Sequence, residues 1–239
     1  MLLFKLFDCI SLLTTDDTLH RWMVQFAVHH HHTSSKKKDN FTELADKGLY
    51  ESLKLIDGSG WKEESKNEKD VLYSKNIPEI GKVFKYEGIV EVDAETINDK
   101  LYYNIERSPE WNNSVDKVDV IQTVDNQTNI VRIITRNRFF VSSREFVHLR
   151  KWKKVGDSFV HSTFSIDHPE VPSDLSFTRG EHRFCTYVIQ PLKEDPSKTR
   201  LVWLMQVNLK GWLPQQIIDQ AVSFGMESHF EDIRTFRKS

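Results

Sequence analysis

The sequence predicts an α+β protein in which a curved antiparallel sheet closes around one long helix at the end of the chain. From 201 to 209 the odd positions Leu201, Trp203, Met205, Val207 and Leu209 are apolar, while Gln206 and Asn208 face the other way, the period of a half-buried strand. After Gly211 and Pro214 the period lengthens, and Ile217, Ile218, Ala221, Val222, Met226, Phe230 and Ile233 recur at three- and four-residue steps. That is a long amphipathic helix, and the strands before it are the surface available to cover its stripe. The order helix, strands, helix, many strands, long helix carries few signals of parallel crossovers, which favours an antiparallel sheet.

The elements follow in chain order. Residues 1–39 differ from the rest and are set apart as a leader, poorly ordered or interfacial, with 40–239 as one large domain. The apolar start MLLFKLFDCISLL is interrupted by Lys5 and Asp8 and is too short to cross a bilayer as a helix. The run His29 to His32 has no carboxylate or cysteine framework and reads as a solvated linker. Residues 41–56 form a helix through Leu44, Leu49, Leu53 and Ile56, ended at Asp57-Gly58. WKEESKNEKD is a charged loop or short edge strand, and 71–74 and 82–92 are strands around Ile77-Pro78. Asp93 caps a helix over 94–106 that Ser108-Pro109 stops. Strands follow at 115–124, 129–135, 145–154, 158–165, 181–191 and 201–209, with 168–178 a loop.

Composition narrows the function. Lys and Arg number 33 against 35 Asp and Glu, so no global field draws nucleic acid or an anionic membrane. The two cysteines, Cys9 and Cys185, lie in unrelated segments, which fits a reducing compartment better than a disulfide framework or zinc cluster. Aromatic residues fall on strand-like runs and predict a wide apolar interior. No Ser/His/Asp spacing, glycine-rich phosphate loop or metal set appears. Cys185 and His182, three apart on a strand, are expected on opposite faces, where they cannot act as nucleophile and base. The expectation is therefore a protein without catalytic activity or cofactor.

The segments WKEESKNEKDVLYSKNIPEIGKVFKYEG, SPEWN, SSREFVHLR, FTRGEH and NLKGWLP, in that order, resemble the START lipid-transfer domain family and within it the cholesterol-binding subgroup. The resemblance covers about residue 40 to the end. It implies a helix-grip fold with an internal tunnel for one lipid, the C-terminal helix acting as a lid. Arg150 matches the family arginine inside the cavity. Its acidic partner on the preceding strand falls on Ile133, so the charge pair is expected to be absent, and Arg150 must find water, a carbonyl or the ligand. His182 matches a family histidine near the ligand's polar end. Trp203, Met205, Val207, Val222 and Met226 complete the expected lining.

A lid needs a moving part. The loop 168–178, where Pro169 and Pro172 prevent regular pairing, is expected to face the final helix around Phe224 to Met226, where Gly225 interrupts the stripe. Phe224 or Leu175 would then touch the membrane during exchange. The function expected is a monomeric cytoplasmic carrier of one sterol, transiently at membranes such as the mitochondrial or endosomal surface. The alternatives are another apolar cargo (carotenoid, phospholipid or ceramide) or a lipid-sensing module.

Overall fold

The structure is a computed structural model that describes residues 36–138, 141–173 and 176–236. The leader and the histidine run lie outside the described residues, apart from the start of the first helix. That helix, α1 (Lys36–Asp57), begins upstream of the residues that carry its apolar spacing. Leu49 and Leu53 pack on Val160, Val188 and Val202 of the sheet. At Gly48 the helix approaches so closely that an added Cβ would stand 2.4 Å from the Phe164 ring, which is why glycine occupies this turn.

The strands are β1 (Lys62–Lys66), β2 (Asp70–Ile77), β3 (Gly81–Val90), β4 (Val115–Thr123), β5 (Thr128–Thr135), β6 (Arg144–Val155), β7 (Ser158–Ser165), β8 (Thr178–Arg179), β9 (Glu181–Pro191) and β10 (Thr199–Asn208). They form one sheet in the order β1-β2-β3-β10-β9-β7-β6-β5-β4, with β8 on β6. The pairings are antiparallel except β6 with β8. The charged stretch is indeed an exposed edge strand, β1, whose lysines and glutamates discourage further pairing.

Two expectations are corrected. β10 is buried on both faces, because α1 covers the outer side: Val202 lies under Leu49 and Leu53, and Gln206 Nε2 donates to the Ile80 carbonyl at 3.0 Å. The helix expected over 94–106 is three pieces. Asp93 does cap it, Oδ1 accepting from Thr96 N at 2.9 Å, but α2 (Ala94–Asn98) passes into a π-helical turn over Asp99–Tyr103 and a 3-10 turn over Ile105–Glu110. The wider turn leaves the Leu101 carbonyl to a partner outside the helix, as such turns often do at functional sites.

The C-terminal helix α3 (Gln215–Arg234) touches both ends of the sheet. Arg234 pairs with Asp70 of β2 and Phe230 packs edge-on against Tyr86 of β3, while Asp232 meets Asn113 just before β4. Eight strands separate β2 from β4 inclusive. Laid flat at about 4.8 Å per strand they would span roughly 34 Å, far wider than a helix of about 10 Å. The sheet must curl around α3 for one helix to reach both.

Gly88 protects the first of these contacts. A Cβ there would lie 1.8 Å from Asp70 Oδ1, the oxygen held by Arg234, while Tyr86 donates to the other at 3.2 Å. Gly88→Ala should therefore break a buried ion pair and cost about 3 kcal/mol. The check is a urea titration, in which the midpoint should fall with little change in slope.

Candidate functional site

Between α3 and the inner sheet face lies a cavity of about 290 Å³. This is at the small end of the ~300–1,000 Å³ range usual for ligand pockets. Alternation along the strands decides which side chains face it. On β6 these are Phe146, His148 and Arg150, and on β10 Trp203, Met205 and Val207, each two residues apart. Ile133 of β5, His182 of β9 and Val222 of α3 also line the cavity. Met226 does not. It is buried in the core that includes Tyr86 and Phe230, because the helical turn sends Val222, Gly225 and His229 toward the cavity and rotates Met226 away.

Arg150 is inside rather than swung to solvent, with 5 % of its surface exposed. Its Nη2 donates to the Leu101 carbonyl at 2.6 Å, the group released by the π-helical turn, and the guanidinium lies 4.8 Å over the Tyr102 ring. Among the described residues it has no carboxylate partner, and Nη1 has no hydrogen bond. Ile133 pairs in register with Phe146, while Asn129 stands opposite Arg150. Burial draws the Arg150 pKa down to about 10.

His148, His161 and His229, which the sequence reading did not single out, join His182 in the polar lining. His148 Nε2 lies 3.0 Å from His182 Nδ1, and the His182 ring stacks on Phe146 with centroids 4.6 Å apart. His161 Nε2 donates to Asn98 Oδ1 at 2.8 Å. His229, on α3, sits between Tyr187 Oη at 2.9 Å and Asn112 Nδ2 at 3.1 Å, so the helix is pinned by hydrogen bonds as well as by its apolar stripe. Alternation in SSREFVHLR could have found His148 two residues before Arg150. Nothing in the sequence marks Asn98 or Tyr102, whose positions follow from the short helices.

Cys185 and His182 also depart from expectation, since both line the cavity. Pairing with β10 runs Gln206↔Phe184 and then Val207↔His182, so Arg183 is the extra residue of a bulge that returns His182 to the Cys185 face. The thiol is nevertheless unsuited to nucleophilic work. Burial pushes it up to about 11, and its sulfur accepts from the Trp203 indole at 3.4 Å.

The expected gate is corrected in its loop. The described residues of 168–178 make their contacts on the far side of the sheet: His168 bonds Gln122 and meets the Phe41 ring of α1, and Arg179 donates to the Val171 and Pro172 carbonyls. Pro169 and Pro172 line no part of the cavity, and Leu175 lies outside the described residues. Strand alternation is the reason, because Arg179 is tied to Glu145, which points away from the cavity between Phe146 and Arg144. Facing α3 instead is the β5–β6 connection. Arg138 donates to Ser114 Oγ at 2.7 Å and Ser228 Oγ at 3.3 Å and lies 5.4 Å over the Phe224 ring. Phe224 is 43 % exposed, and Gly225 lines the cavity with nothing within 4 Å of an added Cβ.

The sequence model of the START domain matches residues 43–238. The chain is 35 % identical over 192 residues to the steroidogenic acute regulatory protein of Xenopus laevis, and 32 % over 187 residues to the mitochondrial protein of that name from Homo sapiens. Each alignment covers 77 % of this chain and 66 % of the relative. Among solved structures, human StAR-related lipid transfer protein 5 is similar with a TM-score of 0.77 and 23 % identity, covering 82 % of this chain and 96 % of the other. Human STARD10 follows with a TM-score of 0.67 and 18 % identity, covering 85 % and 79 %. At these identities the structures speak to the fold.

The buried histidines make the fold sensitive to acid. Burial lowers His161 to about 3 and His182 and His229 to about 4, and takes His148 well below its ordinary value. In the unfolded chain each titrates near 6.5. Above that pH the rings are neutral in both states and cost nothing. As the pH falls below it, only the unfolded chain gains protons, and stability is lost until the folded values are reached, on the order of 2 kcal/mol per ring at about pH 5. Thermal melts should thus be flat above neutrality and fall steeply on acidification. His161→Gln should reduce that slope.

Proposed function

The chain belongs to the START domain family, and from that membership we propose that it is a non-enzymatic carrier that holds one sterol-sized apolar lipid beneath α3. The observation that carries this reading is the cavity beneath α3, with apolar walls from β5, β6, β9 and β10 and polar groups gathered around Arg150. A ligand with an apolar body and one polar end matches that distribution. A nucleophile is not what the site offers, given the raised Cys185 thiol. If such a lipid hides roughly 400 Å² of apolar surface, burial contributes about 10 kcal/mol against an association cost of ~4 to 15 kcal/mol. The resulting affinity is modest, which suits a carrier that must release its cargo.

Cargo enters, in this reading, where the β5–β6 connection meets α3, by parting the Arg138 contacts to Phe224 and Ser228. The chain acts as a cytoplasmic monomer that meets membranes transiently. Among the described residues no helix is long and apolar enough to cross one. The contact instead falls to the turn before α3, where Trp212 is 98 % exposed. This turn borders the cavity through Leu209, whose carbonyl accepts from Arg144 Nε at 2.7 Å.

Titration of the 40–239 domain with a fluorescent sterol should saturate at one ligand per chain. The absence of saturable sterol binding, alongside good phospholipid uptake, would refute the sterol reading. Trp212→Ala should slow transfer between vesicles by about tenfold, because the indole contributes interfacial burial only at the membrane. Affinity for the sterol in solution should be unchanged.

A further inference from the structure

The charges around the cavity are all of one sign. Arg136, Arg138, Arg144 and Arg150 line it, and no Asp or Glu does among the described residues, although the whole chain carries a formal net charge of −2. The arginines are not equivalent. Arg136 faces Asp116 near the surface at 3.6 Å, and Arg138 and Arg144 spend their described N–H bonds on serine hydroxyls and carbonyls. Arg150 is buried, holds one carbonyl and keeps an unpartnered nitrogen. Arg144 is as buried as Arg150 but is held by the Leu209, Ser142 and Ser143 carbonyls and the Ser142 hydroxyl, while Lys151 has Asp46 at 2.9 Å and the half-buried Arg234 has Asp70.

The groups that face Arg150 do not neutralise it. From the π-helical turn comes Tyr102, from β7 His161, from β6 itself His148, and from β9 Cys185 and Tyr187. Every one of these is uncharged in its ordinary buried form. A full positive charge in an apolar chamber without a counter-ion is unfavourable, and an anion that enters with a matching apolar body relieves it.

We infer that the preferred cargo is an apolar lipid with a single acidic head, a carboxylate or its equivalent, seated with that head on Arg150. The inference rests on the carrier reading above and specifies the chemistry of its ligand. Length supports the orientation. Arg144 and Arg150 both line the cavity and are six residues apart on β6, so the lining spans roughly 20 Å along that strand. This accommodates a long acyl chain or a fused-ring skeleton. Arg136 and Arg138, on the β5–β6 connection, would draw the anion in, and Arg150 would hold it.

The test compares oleic acid with oleyl alcohol, which differ only in carboxylate against hydroxymethyl, as competitors of the bound fluorescent sterol at about pH 8, where the free acid is ionised and the histidines are neutral. The acid should displace the sterol at a concentration lower by about tenfold or more, and should raise the melting temperature further than the alcohol does. Arg150→Gln should abolish the difference and Arg150→Lys should keep part of it. Equal displacement by the two, or a preference for the acid that survives Arg150→Gln, would overturn the inference. The comparison on the unaltered protein decides the matter even where Arg150→Gln fails to fold. If the sterol saturates but neither competitor displaces it, the inference fails and the carrier reading stands. If the sterol itself does not saturate, the sterol reading falls, and direct titration with oleic acid against oleyl alcohol decides the inference by the same criterion of about tenfold.

Discussion

The curl of the sheet around α3 is the constraint on which everything else depends. A helix roughly 10 Å wide contacts strands that would be some 34 Å apart in a flat sheet, so the concave face exists only while the helix is held at both ends. The holding groups are polar. Arg234 and Asp70 fix the β2 side, and Asp232 with Asn113 and His229 with Asn112 fix the β4 side. An apolar stripe alone would allow α3 to slide, whereas hydrogen bonds set its register and leave a defined space beneath it.

That space is polar in a restricted way. His148, His161, His182 and His229 are neutral at ordinary pH because burial disfavours their charged forms, so they offer hydrogen bonds without net charge. Arg150 stands apart because a guanidinium cannot be neutralised so readily. The π-helical turn partly accommodates it by presenting the Leu101 carbonyl, and Tyr102 of the same turn supplies a π face. One local distortion of backbone thus makes a buried cation tolerable and leaves it incompletely satisfied.

The legibility of this arrangement from sequence follows the range of the interactions. The period change at Gly211 announced α3 and the strand before it, and the alternation Trp203, Met205, Val207 is the face of β10 that lines the cavity. Periodicity describes one element at a time, and it failed where a second element intervened. α1 buried the outer face of β10, and rotation of α3 took Met226 from the cavity to the core. The bulge at Arg183 reversed a face assignment that strict alternation had made for Cys185 and His182. The loop 168–178 was read as free because it holds prolines, but prolines report missing ladder bonds and not which side of a sheet the loop crosses. That side is set by Arg179 and Glu145, whose pairing has no local signature.

The two halves of α3 are held differently, and in the carrier reading proposed above this bears on where the cavity would open. The C-terminal half contains His229, Phe230, Asp232 and Ile233, all buried and anchored to both ends of the sheet. The N-terminal half starts at Pro214 without a side-chain cap, and its first residues are exposed or half-buried until Val222. Gly225 stands between them and lowers helix stability by about 1 kcal/mol relative to alanine. Local opening follows the least buried, least capped segment of a fold. A motion that frays or tilts residues 215–225 would separate Phe224 from Arg138 and uncover the cavity mouth, while the far half keeps the sheet curled. On that proposal, cargo would be exchanged without giving up the contact that creates the cavity.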